Sequence, residues 1–172
     1  MAKKSKKNSS AKLLVGAIEF LLAVVALVLL LATPAVTYKV TSIIGNGSSS
    51  VSGIACIFGD ADASVKLTWA GLLSFIFIAV ALVVLCLLCA MALGKKKFAL
   101  AGICRFVAAG LLIVAGVFVF FEVAAFKAAN GDGSFAIGSL ANAEYSLGAG
   151  WLVAGIVSIV AGGLSVAEEF LF

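Results

Sequence analysis

The sequence predicts an all-α integral membrane protein: an antiparallel bundle of four transmembrane helices, N and C termini cytoplasmic, with a small β-hairpin in the first outer loop. Three observations predict it. The 172 residues are 64% hydrophobic and 12% charged, whereas soluble domains run about half apolar and a quarter charged. The apolar residues gather into four blocks, each close to the ~20 residues needed to cross a ~30 Å hydrocarbon layer. The lysines cluster at one side of those blocks, which sets the orientation. Spans and short loops nearly use up this length, so no soluble catalytic domain fits. There is no histidine, which removes imidazole bases and the His ligands of metals and haem.

Taken in order, residues 1–12 read as a basic cytoplasmic tail and residues 13–172 as a single membrane domain. The first block spans about residues 13–35 and holds one acidic residue, Glu19. Its lysine-rich approach and small residues near Pro34 have the outline of a secretory signal. Apolar stretches of signals run only about 7 to 15 residues. This one is longer and interrupted by Glu19, so it is expected to be retained.

The loop that follows opens on alternation, with Val36, Tyr38 and Val40 on one face and Thr37, Lys39 and Thr41 on the other. That period of two is a strand signal. Gly45, Asn46 and Gly47 with Ser48 to Ser50 read as a turn, and Val51 to Phe58 as a second β-prone run, together a small hairpin. The second helix is expected at about 67–93, the third at 98–126 and the fourth at 147–167. The third is the longest, and tilt or projection beyond the membrane would absorb its excess. Residues 128–146, rich in Gly, Ala, Asn and Ser, read as an irregular loop.

Lys3, Lys4, Lys6, Lys7 and Lys12 precede the first helix, and Lys95, Lys96 and Lys97 separate the second from the third. Both clusters should be cytoplasmic. The opposite loops hold only Lys39, Lys66 and Lys127, offset by Asp60, Asp62, Asp132 and Glu144. An even number of spans returns the C-terminus to the cytoplasm, so the localisation expected is multi-pass, in the cytoplasmic or plasma membrane.

Glu19 and Arg105 stand similar distances beyond Lys12 and Lys97, ~10 to 12 Å along helices entering from the same side. Charges inside a bilayer are costly and usually pair, so an ion pair between Glu19 and Arg105 is the most economical arrangement. Glu168 and Glu169 compete for the same arginine. Glu122 belongs to the outer end of the third helix, where Lys39 or Lys66 could neutralise it.

The four cysteines are Cys56, Cys86, Cys89 and Cys104. The C-x-x-C of Cys86 and Cys89 lies in an apolar helix, where free thiols act as small hydrophobes. Asp60, Asp62 and Ser64 open like a calcium loop, but Val65 and Gly71 stand where that loop needs Gly and Glu; a solvated acidic turn is expected. Asn46-Gly47-Ser48 is an N-glycosylation sequon on the outer side. In the fourth helix Gly150, Ala154, Ser158 and Gly162 recur every four residues as a small-residue packing groove. Gly155 and Gly163 widen it, and Gly102, Ala109, Gly110 and Gly116 of the third helix form the expected partner surface.

The basic turn before a long third helix, the run Lys97 to Gly102 with Ala109 to Leu112, and Leu147 to Trp151 with Ala161 to Leu164 resemble the claudin and peripheral-myelin-protein superfamily. The topological resemblance covers the whole chain and implies a tetraspan fold. The first loop has Cys56 alone and no Trp, so what the resemblance implies is the architecture and not a paracellular-junction role. The function expected is non-enzymatic: a membrane organiser or accessory subunit acting through helix packing and its outer loops. The alternative is a small transporter or channel component with Glu19 and Arg105 lining a path. No cofactor, no metal and no nucleic acid is expected. The partners are the lipid bilayer and either a membrane protein or a second copy.

Overall fold

The computed structural model describes residues 2–42, 45–94, 100–131 and 141–171. The lysine turn at 95–97 and Phe172 lie outside them. Helix α1 spans Ala2–Ala32, and strands β1 (Pro34–Ser42) and β2 (Gly45–Ser52) follow. Next come a short helix α2 (Gly53–Phe58) and the long helix α3 (Trp69–Leu93). Helices α4 (Ala101–Phe120) and α5 (Glu122–Asn130), strand β3 (Ala141–Leu147) and helix α6 (Ala149–Leu171) complete the chain.

Among the described residues, four segments are long and apolar enough to cross a membrane: Lys12–Ala32, Trp69–Leu93, Ala101–Phe120 and Ala149–Phe170. Each buries a narrow stripe and turns large side chains outward. On α1 the buried positions are Gly16, Glu19, Ala23, Ala26 and Leu30, while Leu14, Leu21, Val25 and Val28 are exposed. Small residues inside and bulky apolar ones outside suit a bundle bathed in lipid, where close backbone approach replaces hydrophobic collapse. The helices form a ring in which α1 touches α3 and α6, and α4 touches α3 and α6. The first and third spans therefore sit on a diagonal.

The strands gather at one end of the bundle, where α1 and α4 finish and α3 and α6 start. The opposite end carries Lys12. The first strand follows the expected alternation: Val36 is fully buried, and Lys39 and Thr41 are exposed. Pro34 ends α1, because the residue before a proline is driven out of helical conformation.

Four local expectations are corrected. The Gly45 to Ser50 cluster is strand rather than turn, paired in antiparallel register with β1 from Ser42↔Gly45 to Val36↔Val51. Gly53–Phe58 is helical, capped by the Ser52 hydroxyl, which accepts from the Ala55 amide at 3.2 Å. Residues 141–147 are not irregular but form β3, so the hairpin becomes a three-stranded sheet of order β2-β1-β3. Alternate residues of β3 meet matching partners on β1: Tyr145 opposite Tyr38, Glu144 opposite Lys39, Ser146 opposite Thr37. The third apolar block breaks at Phe121, whose N–H closes a tight turn onto Phe118 and Val119 (φ −85°, ψ −2°). That break turns Glu122 into the protein.

The sheet is bolted to the bundle through backbone contacts. Gly148 N–H donates to Ala35 O at 2.8 Å and Gly53 N–H to Thr33 O at 3.0 Å. A β-carbon at either glycine would overlap a backbone carbonyl, of Pro34 for Gly148 and of Leu30 for Gly53. Phe126 of α5 packs at 6.0 Å from the Tyr145 ring, and Lys127 Nζ stands 5.3 Å over it.

Candidate functional site

Among the described residues, two buried polar clusters lie at opposite ends of the bundle. At the Lys12 end, Arg105 enters from α4 and Glu168 and Glu169 from α6. The guanidinium Nη1 bonds Glu168 Oε1 directly and stands 3.8 Å from Glu169 Oε2. Glu19, fully buried on α1, accepts from the Ser165 hydroxyl at 2.9 Å. Among the described residues Glu19 and Arg105 form no salt bridge; the arginine expected to pair with Glu19 is held by Glu168 instead. Ring order explains it. Helix α6 touches both α1 and α4, so its acidic residues intervene between two helices that face each other only across the diagonal.

The cluster is not saturated. Glu19 Oε1, Glu168 Oε2 and Arg105 Nε are buried without hydrogen-bond partners. A cavity of about 310 Å³, lined by Lys12, Gly16, Cys89, Arg105 and Glu168 among others, reaches this group from the helix ends. Gly16 forms part of its wall: a β-carbon there would stand 3.7 Å from Arg105 Nη2 and 4.0 Å from Glu168 Oε2. A second cavity of about 230 Å³ continues around Arg105 to Glu169.

At the sheet end, Glu122 is fully buried against the start of α3. Neither Lys39 nor Lys66 bridges it. The Thr68 hydroxyl donates to its Oε1 at 2.7 Å, while Oε2 has no hydrogen-bond partner among the described residues and lies beside Gly71, where a β-carbon would stand 3.2 Å from it. Burial raises this carboxyl from 4.5 to about 7, against the opposing effect of Thr68 and of the nearby Cys56 and Gly71. Burial and the neighbouring Glu122 also push the Cys56 thiol well above its ordinary range. Trp151 closes the cluster, its indole N–H donating to Leu30 O at 3.0 Å. The sequence signals for this cluster were an acidic residue inside an apolar run and a Thr just before the second span. Neither identifies the other as its partner.

The small-residue positions of α6 divide between two neighbours. Ala154, Ser158 and Gly162 are buried; Ser158 donates to Leu112 O of α4 at 2.7 Å, and a β-carbon at Gly162 would meet Ala109 O at 2.7 Å. Gly150 instead abuts Thr33 at the end of α1. Gly116 and Gly155 cross so closely that a β-carbon on Gly116 would stand 2.6 Å from Gly155 O. Gly110 and Gly163 face open space, and Gly102 approaches Glu169.

All four cysteines are free. Cys89 turns inward, its Sγ 3.9 Å from Gly16 O, while Cys86 is exposed. The acidic turn is closed by its own backbone: Asp60 Oδ1 accepts from the amides of Asp62 and Ala63, both at 3.1 Å. The chain matches no protein-family model, and no curated protein matches it in sequence.

Proposed function

We propose that this is a non-enzymatic four-helix membrane protein of the claudin and peripheral-myelin-protein kind, an organiser or accessory subunit that presents its sheet end to a membrane-protein partner or a second copy. In this reading the Lys12 end is cytoplasmic and the sheet is outside, as the lysine asymmetry suggests. One observation carries it. Strand β2 is paired on one side only among the described residues, so its other edge offers unpaired backbone groups. Ser48, Ser49 and Ser50 are exposed on that strand, and Ile54 and Phe58 stand 53% and 55% exposed on α2 beside it. An open edge is a template for an added strand, and neighbouring apolar side chains add contact area. Gly and Ser on that edge leave room for a partner's backbone.

Isolation from native membranes in mild detergent is expected to recover a stable partner or a homo-oligomer, which Ile54→Lys combined with Phe58→Lys dissociates. A strictly monomeric protein without partners overturns the proposal. Topology is read by labelling single introduced cysteines: residue 96 is expected to be protected in intact cells and residue 142 accessible.

The cavity at the Lys12 end favours a second reading, a small transporter or channel component in which Glu19 and Arg105 line a path. Its test is flux in proteoliposomes that Glu19→Gln abolishes. Equal leak with and without protein removes it.

A further inference from the structure

Among the described residues, three carboxylates, Glu19, Glu168 and Glu169, gather with two cations, Lys12 and Arg105, at the Lys12 end. Glu19 and Glu168 converge at the interface of α1 and α6: Glu19 accepts from Ser165, one helical turn before Glu168, and a β-carbon at Gly16, one turn before Glu19, would stand 4.0 Å from Glu168 Oε2. Both are buried to 1% exposure or less, and each keeps one oxygen, Oε1 of Glu19 and Oε2 of Glu168, without a donor. Ionised carboxylates only accept, so two of them in contact form a hydrogen bond only when a hydrogen stands between them.

We propose that Glu19 and Glu168 together bind one exchangeable proton, held between their carboxyls and reached by water through the cavity that opens at the Lys12 end. The groups facing the pair come from every neighbouring helix: Lys12 on α1, Cys89 on α3, Arg105 on α4, Ser165 and Glu169 on α6. Arg105 and Ser165 each occupy one oxygen of the pair, Glu168 Oε1 and Glu19 Oε2 respectively. The remaining two oxygens are buried and have no partner among the described residues. A metal ion suits this place poorly, since calcium needs six or more oxygen ligands and magnesium a near-octahedral set, and two cationic side chains stand alongside. A proton needs only the two oxygens. Bound, it ties α1 to α6. Released to water, it leaves two like charges facing each other where water is scarce, and the two helices repel at this point.

The inference concerns the end of the bundle opposite the sheet and stands whether or not the sheet docks a partner. Infrared spectroscopy of the full chain in lipid nanodiscs tests it, in a Glu122→Gln background so that the other buried carboxyl is silent. A neutral-carboxyl carbonyl band is expected, shifted in D₂O and lost as pH rises. Glu19→Gln and Glu168→Gln should each abolish it, because the introduced amide donates to the remaining carboxylate and replaces the proton. No band in the parent, or a band that survives either substitution, overturns the proposal. If one variant does not fold, the other decides. Filling the cavity by Cys89→Trp should slow hydrogen exchange of the band. An unchanged exchange rate overturns the route through the cavity.

Discussion

The indole N–H of Trp151, at the start of α6, donates to the carbonyl oxygen of Leu30, in the last turn of α1, at 3.0 Å. Both residues are fully buried. Helix ends leave carbonyls without partners, and this one is answered by a neighbouring helix instead of water. Trp151→Phe keeps most of the apolar bulk and removes the donor. The expected cost is about 1 to 3 kcal/mol, the penalty of a buried acceptor left unsatisfied, read as a lower melting temperature in detergent.

Arg105 and Glu168 should behave as one unit. Arg105→Ala or Glu168→Ala alone leaves an unbalanced charge, a change worth about 3 to 5 kcal/mol in buried pairs of soluble proteins. The double substitution is expected to recover part of that loss, with a coupling of about 0.5 to 3 kcal/mol. Glu19→Ala combined with Arg105→Ala should show weaker coupling, because no direct bridge joins them. A larger coupling for Glu19 than for Glu168 would mean that the arginine has been placed beside the wrong carboxylate.

Stability should fall with rising pH through Glu122. Its carboxyl, normally near 4.5, is raised to about 7 by burial, so the folded state favours the protonated form. A raised acid contributes stability that is complete below the unfolded value and is lost as pH climbs through the folded value. The window therefore runs from 4.5 to about 7, and the loss is on the order of 3 kcal/mol at most. Glu122→Gln should flatten this dependence and be the more stable protein on the alkaline side. A melting profile unchanged by the substitution would refute the assignment.

Two glycines on α4 should respond in opposite ways. A β-carbon at Gly116 would stand 2.6 Å from Gly155 O and from Ile159 Cγ1, whereas nothing lies within 4 Å at Gly110. Gly116→Ala forces the two helices apart and should cost about 1 to 3 kcal/mol, the usual penalty of overpacking. Gly110→Ala should gain up to about 1 kcal/mol from helix propensity. Thermal unfolding of the two variants in the same detergent makes the comparison.

The spans were legible because each is a continuous local signal. Trp69–Leu93 lies within two residues of the expected 67–93. The third strand was hidden for the opposite reason: Ala143, Tyr145 and Leu147 alternate over a short stretch of Asn, Glu and Ser, and their partners Val40, Tyr38 and Val36 lie about a hundred residues earlier. Nothing local announces that pairing. The helix break at Phe121 has no Pro or Gly to mark it; what accompanies it is the burial of Glu122 against Thr68. At the Lys12 end, depth along the helices put Glu19 and Arg105 on one level, with Glu168 and Glu169 read at the same end of the fourth helix. Depth carries no information about lateral order, so the choice of carboxylate for Arg105 waited on the ring.

Strand β1 follows α1 after a single residue, Thr33, and β3 precedes α6 by a single residue, Gly148. Because these strands are laddered to each other from Val36↔Leu147 to Ser42↔Ala141, the first and last helices cannot slide past one another lengthwise without shifting the ladder. A slip of one residue would turn Tyr145 to the face now held by Glu144 and Ser146. The sheet thus works as a ruler at one end of the molecule, and the level at which Glu19 meets Ser165 and Glu168 at the other end is measured from it.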